Sequence, residues 1–559
     1  MDVRYHLVSV TIFLLNIMIV TLLILRQKTS GSSKRSVREL ERNEYVLLAI
    51  GLASIVYVIL NTITFNISLE HIYAASNEMN WTEESEFGQY LTQFNLLYYA
   101  LGKLLSFGAP ILFISIVINS VTLLLYLTSY HLVAKAYGLN WINSFYFAIL
   151  MLYGNIIWLY YMQFYPIDSI LKPENNGIIG LGLALLCLAL LLTRHYYLLI
   201  FTSFILLLSH PTNFFNMLII VTFILTTSST VPLIKRYSAV CFLLMLMALL
   251  LPLNFAFQDE ESLFHNYLDN WDFHRSPETQ IAVANFTVMI IVFISTFISK
   301  KNFKDSRTFK VIYRLQILNF GFLLLTFFVN SFDQLSLYNI LIFGRVSNLF
   351  GLVIGIFFVL HISDLLSTKI NKFGSKFVMA RPRLLAFLSA LLIISFFLQS
   401  IPNDVNRYYT PSTFNKTMNE NRSGICANLG DKNVLTNVQT DWVLRVCGAS
   451  ILISTFYIDW IPYKISSIKV LKGTLVDLYG LDISQSNNQA SRRDKILLEA
   501  DATRYWKSLS TEDWDRLFCK YQISSLVTLA GSQIPNLEMN LSYNDGNYVV
   551  YNMKPLCNQ

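Results

Sequence analysis

Acidic and aromatic residues cluster where one long apolar stretch of the sequence ends. Glu70, His71 and Tyr73 follow that stretch directly, and Glu84 and Glu86 come shortly afterwards. A carboxylate held at the edge of an apolar layer can act as a general base on an acceptor hydroxyl. Glu70 is the first candidate base, with Glu84 and Glu86 as alternatives and His71 and Tyr73 as substrate contacts. The alternative interpretation is a solvated acidic loop ahead of a docking helix.

Other polar groups stand beside apolar stretches further along the chain. Asp168 either lines a cavity or caps a loop. His210 separates two short apolar stretches and is either a ligand contact or part of a satisfied turn. Asp272 and His274 can bind sugar hydroxyls or simply be hydrated. Arg345 precedes an apolar stretch, where its guanidinium suits a lipid phosphate in bidentate fashion or reaches an ordinary headgroup.

The composition explains which elements must position these residues. The chain has 559 residues, of which 54% are hydrophobic and only 14% are charged, whereas soluble proteins carry about 25% charged residues. Stretches of ~20 apolar residues, the length that crosses a bilayer as a helix, recur up to residue 400. We predict an all-α polytopic membrane bundle of about twelve spans. The predicted spans are 7–26, 45–66, 109–133, 140–161, 176–193, 196–209, 213–233, 238–257, 281–299, 316–332, 349–367 and 384–400.

Basic residues alternate sharply between the loops. Twenty lysines and arginines lie in one set of loops, at 28–42, 135, 194, 235–236, 300–314 and 369–383. Only Lys103, Lys172, Arg275 and Arg345 lie in the short loops of the other set. Because basic loops stay cytoplasmic, the first set is predicted to be cytoplasmic and both termini extracytoplasmic. The net charge of +7 therefore reflects membrane orientation, and we expect no nucleic-acid partner.

The predicted external loop 67–108 also carries a helical pattern. Its apolar residues follow i, i+3, i+4 spacing, which predicts an amphipathic helix at the membrane interface or packed on the bundle. These residues are Phe87, Tyr90, Leu91, Phe94, Leu97, Tyr98, Leu101, Leu104 and Leu105.

Four of the six cysteines lie after residue 400. An even number in an oxidising compartment predicts two disulfides. Three pairings are open, and we take Cys426 with Cys447, by proximity, and Cys519 with Cys557 first. Free structural cysteines are the alternative.

Residues 401–559 are polar enough for a separate extracytoplasmic domain next to the transmembrane domain 1–400. Short strands are predicted at 434–437, 454–458, 523–528, 537–541 and 547–551, the last after an Asn-Asp-Gly turn. Helices are predicted at 491–509 and 511–519, with Ser510 or Thr511 as the N-cap. Strands alternating with helices predict a small α/β or α+β domain.

The chain resembles the GT-C class of polytopic membrane glycosyltransferases, in particular bacterial members with a small extracytoplasmic tail domain. The similarity lies in three features. Glu70-His71-Ile72-Tyr73 is similar to the Asp/Glu-x-x-Tyr start of the external loop in that class. The others are Ser209-His210-Pro211 between two short predicted spans and a tail that contains Trp514, YQISSLVT and NDGNYVVYNM. The class usually has Asp in this loop, where this chain has only Glu, and an extra first span precedes the loop.

The resemblance implies inverting transfer of a sugar from a polyprenyl-phosphate donor to a glycan, lipid or protein acceptor at the outer face. It implies that Glu70, or Glu84 or Glu86, is the base and that Arg345 holds the lipid phosphate. His210 and Asp168 would line the cavity, and the tail would help bind the acceptor. Some members of the class need a divalent metal such as Mg²⁺ or Mn²⁺ and others do not.

Two other functions are open at this point. A non-catalytic protein of polysaccharide or glycolipid assembly would explain the missing Asp. The other is a lipid or solute transporter. Against it, the predicted spans contain few charged or ionisable residues, of which His361 and Asp364 are the clearest, and no chain of intramembrane carboxylates marks an ion path. No P-loop, Gly-rich nucleotide fingerprint, HExxH or CxxC motif occurs, so an ATP-driven pump is disfavoured.

Overall fold

The fold is known from a computed structural model. It describes residues 3–30, 111–153, 176–227, 359–370, 384–385, 387–395, 424–437, 449–453, 467–482 and 502–552, with scattered short runs and single positions between them. The described part is mostly helical and contains one small sheet. These features confirm the predicted helical chain with a small mixed domain, while the count of about twelve spans stays a prediction.

The chain folds as two compact units, each assembled from separate stretches of sequence. The first comprises residues 1–67, 115–247 and 281–407, and the second comprises residues 68–114, 248–280 and 408–559.

Six long helices occupy the described N-terminal half. They are α1 (Val3–Ser30), α2 (Ile111–Tyr137), α3 (Trp141–Tyr153), α4 (Asn176–Thr193), α5 (Tyr196–Ser209) and α6 (Pro211–Thr227). Two of them, α4 and α5, have the predicted bounds, and residues 359–370 are also helical within and just beyond a predicted span. A left-handed residue, Gly138 at φ 106°, ends α2, and Arg194 at φ 69° joins α4 to α5.

One of these helices meets the length and hydropathy expected of a membrane span. Among the described residues this is 116–137 of α2, and the shorter apolar helices are Trp141–Leu152, Ile178–Thr193 and Tyr196–Ser209.

A four-stranded sheet organises the described part of the second unit. Its strands are β1 (Asn433–Leu435), β2 (Ile523–Leu529), β3 (Leu541–Asn544) and β4 (Tyr548–Asn552), in the order β1-β2-β4-β3. β1 and β2 are parallel, whereas β2–β4 and β4–β3 are antiparallel. The predicted Asn-Asp-Gly turn joins β3 to β4, with Gly546 at φ 85°, a conformation that glycine adopts without strain.

Among the described residues of this unit, three longer helices pack together: α7 (Ser467–Tyr479), α8 (Ala502–Ser508) and α9 (Thr511–Tyr521). Trp506 and Trp514 are fully buried in their core. Ser510 forms a capping box with Asp513 at the start of α9, which confirms the predicted N-cap.

The predicted strand at 537–541 is wrong. Residues Pro535–Asn540 form a 3₁₀ helix, and only Leu541 begins β3. Pro535 has no backbone N–H to donate to a sheet, and the Asn536 side chain donates instead to the Leu509 carbonyl oxygen. The predicted strand at 454–458 and most of the helix at 491–509 lie outside the described residues.

The first predicted disulfide is confirmed. Cys426 and Cys447 are bonded, with their Cα atoms 5.2 Å apart. Cys519 is also disulfide-bonded, but Cys557 lies outside the described residues, so that pairing stays a prediction.

Candidate functional site

Of the predicted catalytic and substrate-binding residues, the described part of the chain contains His210 alone. The others lie outside it, namely Glu70, His71, Tyr73, Glu84, Glu86, Asp168, Asp272, His274 and Arg345. At the end of the predicted interfacial helix, residues 100, 101, 103 and 104 are helical.

His210 forms the corner between α5 and α6 and is buried. Its backbone N–H donates to the Leu206 carbonyl oxygen of α5 at 2.7 Å. Its side chain bonds to the first turn of α6 instead. The Asn213 backbone N–H donates to His210 Nδ1 at 3.2 Å. The imidazole therefore acts as the N-cap of α6, with Pro211 at the first helical position, where its missing N–H costs nothing. Because Nδ1 accepts, the proton of the neutral ring lies on Nε2.

The His210 corner packs closely against the backbone of α4. A Cβ atom placed on Gly180 would lie 2.6 Å from His210 Cβ and 2.7 Å from Asn213 Nδ2. Two residues along, a Cβ on Gly182 would lie 2.9 Å from the Tyr126 ring, whose hydroxyl donates to the Ile178 carbonyl oxygen at 2.8 Å. Because Gly180 and Gly182 have no side chain, the Tyr126 ring of α2 and the corner between α5 and α6 can both contact the backbone of α4.

We expect Gly180→Ala to destabilise the protein by about 1–3 kcal/mol, the usual cost of overpacking a filled core. The new methyl group would meet the rigid Cβ of His210 rather than the end of a flexible chain. Thermal unfolding of the full-length protein in detergent measures this change. The matched control is Gly473→Ala in α7, where a Cβ meets no atom within 4 Å. An unchanged melting temperature for Gly180→Ala would contradict the packing.

Two helices, α2 and α5, carry polar side chains among their buried residues and large apolar side chains on their exposed faces. On α5 the buried residues include Thr202, Ser203 and Ser209, whereas its exposed large side chains are apolar. On α2, buried Asn119 and Thr122 likewise contrast with an apolar exposed surface. The exposed residues are Tyr197, Leu198, Ile200, Phe201 and Phe204 on α5 and Phe113, Ile116, Val117, Val121 and Leu124 on α2. Large apolar side chains grouped on an exposed face typically mark a surface that contacts another protein or a membrane.

A cluster of polar contacts that the sequence did not predict lies where α1 and α2 end. Lys28 Nζ lies 2.6 Å from Asp364 Oδ1 and 3.0 Å from both Ser367 Oγ and Thr368 Oγ1. The Tyr137 hydroxyl lies 3.0 Å from His361 Nδ1 on the same helical segment. His361 and Asp364 were recognisable as polar residues in a predicted span, but their partners are hundreds of residues away in sequence.

A charged network ties α7 to the end of α9 in the second unit. Lys520 Nζ and the Tyr521 hydroxyl both donate to Asp477 Oδ2. Burial by itself would raise the pKa of the Asp477 carboxyl, but these two hydrogen bonds and the charges of Lys520 and Arg516 outweigh it and hold the pKa below its usual value. Burial, followed by the hydrogen bond to Asp477, raises the pKa of the Tyr521 hydroxyl.

We expect Asp477→Asn to weaken the attachment of α7 to α9 by about 1 kcal/mol at pH 7. A carboxyl whose pKa is lowered on folding stabilises the fold above its unfolded pKa, and that stabilisation disappears as pH falls through the folded value. The difference between wild type and variant should therefore shrink as pH falls below 3.8, the usual pKa of an aspartate, and disappear once the folded carboxyl is protonated. Hydrogen exchange of peptides covering 511–521, corrected for the intrinsic rate, measures it. Asp515→Asn, on the exposed face of α9, should change nothing at either pH.

Within the described residues, no group of three or more His, Cys, Asp or Glu side chains is arranged to hold a metal ion.

The described features define a mostly helical protein with apolar outer helix faces and a disulfide-bonded mixed domain. No protein-family model, no curated protein and no solved structure matches this chain.

Proposed function

We propose that this protein is an integral membrane glycosyltransferase of the GT-C type, with about twelve spans. It transfers a sugar from a polyprenyl-phosphate donor to a glycan, lipid or protein acceptor at the outer face of the membrane. Both termini lie on the extracytoplasmic side of a plasma or inner membrane, and the product belongs to the cell envelope.

The division into two units is the observation that carries the proposal. The second unit combines residues 68–114 and 248–280 with residues 408–559. The charge pattern assigns these same loops and this tail to one side of the membrane. The range 68–114 of this unit also contains the candidate carboxylates Glu70, Glu84 and Glu86 in its sequence.

Two further observations support a membrane protein with an external tail. Large apolar residues lie on the exposed faces of α2 and α5, and some polar residues are buried on the other side, as expected for helices that face lipid. The Cys426–Cys447 bond belongs to an oxidising compartment, whereas the free thiol of Cys187 is buried in α4.

The proposed reaction is a single displacement. Glu70, or Glu84 or Glu86 in its place, removes the proton from the acceptor hydroxyl as its oxygen attacks the anomeric carbon of the sugar. The bond from that carbon to the phosphate oxygen breaks, and polyprenyl phosphate leaves with the electron pair, which inverts the anomeric configuration. Arg345 stabilises the charge that develops on the phosphate. A divalent metal, if the enzyme uses one, would neutralise the same phosphate charge.

Label transfer by the purified protein tests this proposal. The protein, reconstituted in liposomes, is supplied with a panel of radiolabelled polyprenyl-phosphate sugars and envelope extract as acceptor, with and without Mg²⁺ or Mn²⁺. We expect label to move from at least one donor into acceptor. No transfer from any donor would overturn the proposal and favour a non-catalytic assembly protein or a transporter.

A further inference from the structure

The strongest polar feature of the described helices outside the proposed reaction is a set of contacts at one end of the first unit. It joins three parts of the chain: α1, the turn between α2 and α3, and the helical segment 359–370. We call its six residues the polar latch, and they are Gln27, Lys28, Tyr137, Asn140, His361 and Asp364.

The first limb of the latch joins α1 to segment 359–370. An ammonium group has three donors, and Lys28 Nζ has three acceptors, Asp364 Oδ1 at 2.6 Å and the hydroxyls of Ser367 and Thr368 at 3.0 Å. Both hydroxyls donate their own protons to the Asp364 carbonyl oxygen. Their lone pairs are therefore turned toward Lys28, and the charge of Lys28 is matched by the carboxylate of Asp364.

The second limb joins α1 to the turn between α2 and α3. Gln27 Nε2 donates to the Gly138 carbonyl oxygen at 2.6 Å, and Gln27 Oε1 accepts from the Asn140 N–H at 2.9 Å. The Gln27 side-chain amide thus bonds to one carbonyl oxygen and one N–H group of the turn, as the backbone of a neighbouring strand would. The left-handed conformation of Gly138, at φ 106°, shapes the turn and favours glycine.

The third limb closes the triangle. The Tyr137 hydroxyl, at the end of α2, lies 3.0 Å from His361 Nδ1. Each of the three parts is therefore bonded to the other two, and no part can move away without breaking two limbs. One residue before Asp364, the Ser363 hydroxyl donates to the Ile17 carbonyl oxygen near the middle of α1 and is fully buried.

We infer that the polar latch is a conformational device that holds this end of the helical unit shut. The charge pattern places this end on the cytoplasmic side. A transporter must open both ends of its bundle in turn, whereas a protein latched here exchanges its substrates only at the opposite end. The inference concerns the shut end alone and does not depend on the transfer chemistry.

Alkylation of a buried reporter cysteine tests the latch in the full-length protein. In a Ser363→Cys background, N-ethylmaleimide should leave residue 363 unmodified, as judged by peptide mass spectrometry, with or without polyprenyl-phosphate sugars. Adding Gln27→Leu and Lys28→Met, which removes two limbs, should speed alkylation at least about tenfold, because local opening limits the reaction of a buried group. Lys369→Met removes another cation of the same segment and should have no effect.

Two outcomes would overturn the latch. One is rapid alkylation of residue 363 with the latch intact, and in particular an increase when donor is added. The other is equal exposure of buried Cys187 in the latch variants, which would mean that the variants unfold the bundle instead of opening one end. An absence of label transfer by the wild-type protein would defeat the proposed function but leave this result unchanged.

Discussion

Glu70→Gln should lower the rate of label transfer by at least about 100-fold, the contribution that a positioned general base commonly makes. Glutamine keeps the size of the side chain but cannot take the proton of the acceptor hydroxyl. The measurement is the initial rate of transfer from the best polyprenyl-phosphate donor in liposomes, at saturating donor.

The same loop provides the control. Glu78→Gln removes a neighbouring carboxylate that has no assigned role and should leave the rate within about twofold of wild type. Glu84→Gln and Glu86→Gln test the two alternative bases. Full activity in all three candidate variants would contradict the assignment of the base to this loop. A large loss for Glu84 or Glu86 alone would move the role there.

Cys426→Ser combined with Cys447→Ser should destabilise the tail domain by about 3 kcal/mol. The bond closes a loop with a sequence separation of 21 residues, and loop-closure entropy predicts a contribution of about this size. Ile425, next to the bond, belongs to the fully buried core of the domain, so the loss should extend to β1 and β2. Hydrogen exchange of peptides covering 433–435 and 523–529 in the full-length protein measures it.

Cys187→Ser is the matched control for that experiment, because Cys187 is a free, buried cysteine in the first unit. It should leave the exchange of the tail peptides unchanged. A loss below about 1 kcal/mol for the double variant would show that the bond adds little to the domain.

The sequence predicts the bounds of some helices because those boundaries carry strong local signals. α4 and α5 have the predicted bounds since a basic residue, Arg194, interrupts an otherwise continuous apolar run. α9 begins at its predicted cap because Ser510 and Asp513 satisfy each other's backbone N–H groups locally.

Helix α7 was not predicted, although its signal is present in the sequence. Ile468, Leu471, Leu475 and Leu478 are buried and follow helical spacing, and left-handed Gly480 ends the helix. The polar latch carries no local signal, because Lys28 and Asp364 are 336 positions apart. Side-chain pairs at such separations depend on how the helices pack, which the hydropathy pattern leaves open.

The location of the tail domain and its associated loops outside the cell is the claim on which the proposed chemistry depends. It is tested most directly by labelling right-side-out membrane vesicles with a membrane-impermeant maleimide. Glu512→Cys, exposed on α9, should react before the vesicles are opened, and Lys304→Cys, in a basic loop, only afterwards. The reverse pattern would place the tail in the cytoplasm and contradict transfer at the outer face.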